Sequence, residues 1–189
     1  MCACALLSHT HTHTHTHTHT HTACANLGTC MTLSSRSTVS IEEAAEAGGL
    51  QWFQLYVFKD KELTRSLIQR AERAGYKALV ITVDSVVPGR RSDSKNLSPL
   101  STLANFDNTE ATSGQDAGSF LTQQLITPID PGLTWETVRQ VQEVTKLPVL
   151  VKGVLTAEGA LEALQHGVQG IVVSNHGARQ LDGTPATVS

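Results

Sequence analysis

The sequence contains no long apolar run, no marked excess of either charge and, beyond residue 30, no cysteine. Because no apolar stretch approaches the roughly 20 residues of a membrane-spanning helix, we expect no membrane partner. The net charge of −3 argues against nucleic-acid binding, since proteins that bind nucleic acid are usually basic. All four cysteines lie within the first 30 residues, so the rest of the chain has no disulfide framework, as is typical of a reducing compartment.

A low-complexity head, residues 1–24, precedes a sequence of ordinary globular composition that runs from 25 to 189. Seven His-Thr dipeptides fill His9 to Thr22. Tandem histidines can bind transition metals, but the tract has no apolar residue to bury and is therefore expected to be disordered. Alternating cytosine and adenine nucleotides read in triplets also encode His and Thr in turn. We therefore favour a translated microsatellite and predict no metal site.

Five short apolar runs alternate with helical patterns along the remainder of the chain. The predicted strands lie near residues 29–33, 52–57, 78–83, 148–152 and 170–174. Ser40, Asp60 and Thr156 are expected N-caps of intervening helices, and residues 85–115 are expected to form a long polar loop. This alternation predicts an α/β fold with a parallel sheet. A doubly wound sheet and a (β/α)8 barrel both fit, although no Gly-x-Gly-x-x-Gly turn supports a nucleotide-binding Rossmann fold.

Hydrogen-bonding side chains recur where these apolar runs end. They are Ser34, Gln54, Tyr56, Thr82, Asp84, Lys152, Ser174 and His176. In a barrel such positions converge on the carboxyl-terminal mouth, where barrel enzymes place their sites. Taken singly, each has an ordinary structural explanation: Tyr56 as a core residue, Asp84 as a helix cap, Lys152 as a surface side chain. Their recurrence after five strands favours a site.

The segment from Ser174 to Asp182, Ser-Asn-His-Gly-Ala-Arg-Gln-Leu-Asp, is the most informative motif. An imidazole that accepts a proton lies three residues from a guanidinium that can pair with a carboxylate, which suits chemistry on a small organic acid. Together with four further motifs, it resembles the FMN-dependent 2-hydroxy-acid oxidases, with glycolate oxidase the nearest subgroup. Those motifs are Phe53-Gln-Leu-Tyr56, Thr82-Val-Asp84, Gly89-Arg-Arg91 and Val151-Lys-Gly153.

The resemblance implies a partial (β/α)8 TIM barrel, about strands 2–6, over residues 25–189 of a chain truncated at both ends. It implies that His176 is the catalytic base, that Asp84 orients it and that Tyr56 bonds the substrate oxygen. Arg179, assisted by Arg91, would pair with the substrate carboxylate. The positions that resemble the FMN contacts of the family are Ser34, Gln54, Thr82, Lys152 and Ser174.

The function implied is oxidation of a small (S)-2-hydroxy acid such as glycolate to a 2-oxo acid, with O2 reduced to H2O2. A family dehydrogenase with another electron acceptor, and a catalytically inactive fragment, are the alternatives. The resemblance also implies a homo-oligomer and a peroxisomal location, with the cytoplasm as the alternative since the chain ends in Thr-Val-Ser. Arg36 stands where the family usually has a bulky aromatic residue, so the resemblance does not fix the preferred chain length.

Overall fold

The computed structural model describes residues 14–85, 87, 103–106 and 128–187. Within these residues, five α-helices and five strands follow one another, and a short 3-10 helix spans His176–Ala178. The helices are α1 (Thr14–Asn26), α2 (Ile41–Ala45), α3 (Lys61–Arg73), α4 (Trp135–Val144) and α5 (Ala157–Gln165). The strands are β1 (Met31–Ser34), β2 (Gln51–Leu55), β3 (Leu79–Thr82), β4 (Val149–Val154) and β5 (Gly170–Val173). Among the described residues, no helix has the length and apolar character needed to cross a bilayer.

The five strands form one parallel sheet whose spatial order, β1-β2-β3-β4-β5, is the order of the chain. A doubly wound sheet reverses its strand order at a switch point, and no reversal occurs among these strands. The arrangement is that of an arc of a (β/α)8 barrel. The predicted α/β class, the parallel pairing and the partial barrel are therefore confirmed.

Alternation along the strands separates a face that packs beneath the helices from an opposite face, which carries Ser34, Gln54, Thr82 and Lys152 near the strand ends. One set of strand side chains belongs to the buried core beneath the helices: Leu33, Phe53, Leu55, Leu79, Ile81, Val149 and Val151. The helices present matching apolar faces, as in α3, where Leu67, Ile68 and Ala71 are buried. The intervening strand positions point to the opposite face, which is the inner face of the barrel arc.

The predicted helix starts are confirmed at three positions, each of which uses a side-chain oxygen to accept from backbone N–H groups. Asp60 accepts from the N–H groups of Glu62 and Leu63, both at 3.0 Å. Ser40 and Thr156 cap α2 and α5 in the same way. Caps of this kind satisfy donors that the first helical turn leaves without partners.

The expected disorder of the histidine-rich head is wrong for residues 14–24, which lie in helix α1. His21 and Cys24 fall on one face of the helix because three residues span nearly one turn. Both are buried, with exposed fractions of 1% and 7%, and the sulfur atoms of Cys24 and Met31 lie 4.0 Å apart. Packing against β1 thus orders a sequence whose composition alone favours disorder. The division of the chain at residue 24 stays a prediction, and α1 runs across it.

Asn105, in the predicted loop, is buried and ties together the segment between β1 and α2. Its side-chain oxygen accepts from the N–H of Ile41 at 2.8 Å, and its amide nitrogen lies within 3.5 Å of the carbonyl oxygens of Ser35 and Val39. Arg70 donates to its backbone carbonyl at 2.9 Å. One buried amide thereby satisfies backbone groups that the strand-to-helix connection would otherwise leave without partners.

We expect Asn105→Ala to destabilise the fold by about 1–3 kcal/mol, because it leaves a buried N–H and two buried carbonyl groups without hydrogen-bond partners. The free energy of unfolding in urea measures the loss. Asn26→Ala, at the exposed end of α1, is the matched control and should change stability by less than about 0.5 kcal/mol. Equal effects from both variants would contradict the role given to Asn105.

Candidate active site

A row of polar side chains crosses the inner face of the sheet near the carboxyl ends of the strands. The Ser34 hydroxyl donates to Gln54 Oε1 at 3.0 Å, and Gln54 Nε2 donates to Thr82 Oγ1 at 2.8 Å. Lys152 follows in the row because it pairs in register with Thr82, and its exposed fraction is 2%. The parallel register therefore sets three hydrogen-bonding groups and a buried ammonium side by side over four strands.

His176 and Asp84 form a hydrogen-bonded pair beyond this row. The atoms His176 Nδ1 and Asp84 Oδ1 lie 2.8 Å apart, with the imidazole 4% and the carboxyl side chain 15% exposed. A neutral ring that donates from Nδ1 to the carboxylate keeps Nε2 as a proton acceptor. The carboxylate also stabilises the ring once it becomes charged. The pair is thus built to accept one proton, as a general base does.

The backbone that carries His176 is left-handed. The φ angles are 59° at His176, 65° at Gly177 and 56° at Ala178, and this region costs a non-glycine residue roughly 1–2 kcal/mol. Two bonds hold the turn: Ser174 Oγ accepts from the N–H of His176, and Asn175 Oδ1 accepts from that of Gly177, both at 3.1 Å. Strained backbone that the surrounding hydrogen bonds hold in place is typical of functional sites.

Arg179 and Tyr56 lie beside the pair. Arg179 Nε donates to the backbone carbonyl of His176 at 3.1 Å, which holds the guanidinium against the turn that carries the imidazole. Burial is the main cause of a raised pKa at Tyr56, and the Asp84 carboxylate raises it further. Arg36, Arg179 and a hydrogen bond with the Ser85 side chain oppose that rise. The Tyr56 phenol is therefore a proton donor at neutral pH.

The structure brings together nearly all of the residues that the sequence singled out. Ser34, Gln54, Thr82 and Lys152 form the polar row, and Ser174 supports the turn of His176 through its hydroxyl oxygen. The 2.8 Å separation agrees with the expectation that His176 and Asp84 hydrogen-bond, while the catalytic and binding roles stay predictions. Arg91 lies outside the described residues.

Two residues of the site were not singled out by the sequence analysis. Gly153 has φ +115°, and a Cβ built on it would lie 2.5 Å from Asp84 Cγ. Gln180 Nε2 lies 2.9 Å from Ser85 Oγ and 3.3 Å from the backbone carbonyl of Asp84. Both belong to motifs already noted, the glycine after Lys152 and the glutamine after Arg179, but spacing alone does not reveal a close approach.

Known proteins match the chain along most of its length. The model of a family described as FMN-dependent dehydrogenase matches residues 1–189. The chain belongs to this family. It is 46% identical over 178 residues to 2-hydroxyacid oxidase 1 of Homo sapiens, covering 88% of this chain and 48% of that protein. It is 50% identical over 172 residues to glycolate oxidase of Spinacia oleracea, covering 88% and 47% respectively.

The fold comparison agrees with the sequence comparison. A crystal structure of mandelate oxidase with (S)-4-hydroxymandelic acid superposes with a TM-score of 0.78 at 40% identity, over 91% of this chain and 50% of that one. The family resemblance, the barrel arc and FMN as the cofactor of the family are thereby confirmed. The chain spans about half the length of the curated relatives it matches.

We expect Gly153→Ala to destabilise the fold and to separate His176 from Asp84. Gly75→Ala is the matched control, since Gly75 has φ +88° and a Cβ built on it would meet no atom within 4 Å, so this variant carries only the backbone cost. The added Cβ at residue 153 should cost about 1–3 kcal/mol more than this control. The 15N chemical shifts of the His176 ring should also change in Gly153→Ala alone. Unchanged shifts there would contradict the placement of Gly153 against Asp84.

We expect Tyr56→Phe to make stability less sensitive to alkaline pH. The folded pKa of Tyr56 is raised above the unfolded value of about 10, so the stabilisation by the protonated phenol is complete below that pH. It is lost as the pH rises through the folded pKa. Urea unfolding at pH 8 and above pH 10 should therefore show a smaller loss for the variant than for the wild type. If stability falls equally in the variant and the wild type, the pH dependence comes from groups other than Tyr56.

Proposed function

We propose that this chain carries the active site of an FMN-dependent oxidase that converts a small (S)-2-hydroxy acid, such as glycolate, to the 2-oxo acid. The observation that carries the proposal is the hydrogen-bonded pair of His176, which is buried, and Asp84, 2.8 Å apart, at the edge of the sheet that also holds Lys152 and Tyr56. A base poised by a carboxylate, beside a buried ammonium and a phenol, suits removal of a proton from a hydroxyl group.

In the proposed oxidation, each residue of the site acts on a different atom or charge. The hydroxyl proton of the substrate passes to Nε2 of His176, and Asp84 stabilises the imidazolium that results. The hydrogen on C2 leaves with its electron pair, so the hydroxy acid loses two electrons and two protons in all and becomes the 2-oxo acid. Tyr56, held as a neutral phenol by burial, donates a hydrogen bond to the substrate oxygen.

Arg179 would hold the substrate carboxylate. Its Nε bond to the backbone carbonyl of His176 keeps the guanidinium against the turn that carries the base, and a guanidinium binds a carboxylate through two parallel hydrogen bonds. The bound acid would then present its hydroxyl group to His176. Arg91, which the family resemblance places in the same role, lies outside the described residues.

The donor set of the polar row fits a flavin. A flat heterocycle with alternating hydrogen-bond donors and acceptors matches hydroxyl and amide groups set side by side, which here are Ser34, Gln54 and Thr82. Ser174, which follows β5, would add a hydroxyl group to this set. The buried ammonium of Lys152 would stabilise the negative charge that a flavin ring gains on reduction. When bound, FMN would supply the redox chemistry, as acceptor of the electron pair of the substrate, with O2 as the final acceptor and H2O2 as its product.

Two other interpretations have specific support. Within the described sheet, β1 and β5 each pair with one strand only, and Val173 at the β5 edge is 55% exposed. Unpaired edges of this kind favour a chain that is inactive alone. A family dehydrogenase that uses another electron acceptor would contain the same base.

The family resemblance also supports a peroxisomal location and a homo-oligomer as part of the proposal.

The test uses two proteins in excess FMN with glycolate: the 189-residue chain and a chimera. In the chimera, residues 14–187 replace the matching segment of Spinacia oleracea glycolate oxidase, which supplies the remainder of a barrel. We expect H2O2 from the chimera and none from the 189-residue chain. His176→Ala in the chimera should lower turnover roughly 10² to 10⁴-fold. His166→Ala is the matched control, since His166 is exposed at the end of α5 and should leave turnover unchanged.

The outcomes separate the three interpretations. Peroxide from the chimera that depends on His176 supports the oxidase. Reduction of an artificial dye without peroxide favours the dehydrogenase. A folded chimera that oxidises no 2-hydroxy acid overturns the proposed function, and equal turnover in His176→Ala means that the base lies elsewhere.

A further inference from the structure

Arg36 lies at the same end of the sheet as the base. It follows β1 by two residues, and its backbone N–H donates to Ser34 Oγ at 3.1 Å, which ties it to the polar row. Its guanidinium carbon lies 5.9 Å from the ring centroid of Tyr56 and 5.8 Å from that of Phe58. The cation is therefore held against two aromatic rings, one of which belongs to the candidate active site.

Charged side chains among the described residues surround Tyr56. Those that act on its phenol are the cations Arg36 and Arg179 and the anion Asp84. Burial lowers the pKa of Arg36, but a guanidinium stays protonated in proteins. Asp84 is bound to His176, and a substrate with two carboxylates would offer one to each of the two guanidinium groups.

We propose that the preferred substrate is a 2-hydroxy acid with a second carboxylate, which Arg36 binds. This inference rests on the proposed function and names the substrate class of the same site. Arg179 takes the carboxylate beside the hydroxyl group, and Arg36 takes the distal one in a second two-pronged contact. The ring of Tyr56 provides an apolar surface for the methylene groups between them.

The alternative class, a hydroxy acid with a long apolar tail, fits this position less well. Its tail would remove water from the Arg36 guanidinium without offering a hydrogen bond in return, and such desolvation of a charge is costly. A guanidinium at this place thus selects against apolar tails as well as for a carboxylate.

The test compares two substrates with five carbons each, (S)-2-hydroxyglutarate and (S)-2-hydroxypentanoate, in the FMN-loaded chimera described above. The two differ only in the distal carboxylate. We expect a higher kcat/KM for the diacid, and Arg36→Met should lower the ratio of the two kcat/KM values by roughly 10- to 100-fold, chiefly through KM. Arg36→Lys keeps the charge and should restore part of that ratio. Arg73→Met is the matched control, since Arg73 lies on the exposed face of α3.

The comparison of the two acids in the chimera with Arg36 unchanged needs no variant, so it tests the inference even if Arg36→Met does not fold. A preference for 2-hydroxypentanoate, or none between the two acids, overturns this inference and leaves the proposed function standing if glycolate or either acid is oxidised. A diacid preference that survives Arg36→Met overturns the role of Arg36. Failure to oxidise any of the three acids overturns both proposals.

Discussion

The hydrogen bond between His176 and Asp84 joins the ends of two strands that are not neighbours. Asp84 follows β3 and His176 follows β5, and β4 lies between them in the sheet. The bond can form only if β4 presents little bulk at that level. Gly153 meets this need, because any Cβ there would overlap Asp84. The pairing of β4 with β5 also shifts register between Lys152 and Val154, and irregularities of this kind re-aim side chains next to active sites.

The polar row and the base pair therefore depend on the same strand. In β4, Lys152 continues the row that begins at Ser34, while the next residue makes room for the pair. A shift of β4 by one residue would turn the Lys152 ammonium toward the apolar core and bring a side chain against Asp84. The core residues Val149 and Val151 oppose such a shift, since it would expose them. Apolar packing on one face thus fixes the chemistry on the other.

Much of this arrangement could be predicted from the sequence because it follows local rules. Apolar runs and caps locate the elements, and parallel strands bring their carboxyl ends to one edge, so residues as distant as Gln54 and Lys152 could be assigned to one site. That α1 is an ordered helix could not be predicted, since its order comes from burial of His21 against the rest of the protein rather than from its own composition. Nor could the contacts of Gly153 and Asn105, which depend on distances across the fold.

The site geometry and the stability of the sheet rest on different interactions. The hydrogen bonds of the polar row join neighbouring strands, and the bond between His176 and Asp84 joins strands two apart in the arc, so the described strands alone place these side chains. Stability depends also on the backbone groups along β1 and β5, each of which pairs on one side only among the described strands. Open edges carry unsatisfied donors and acceptors that favour association with other chains. A covering partner at these edges would therefore raise the stability of the arc without altering how His176, Asp84 and Lys152 are placed.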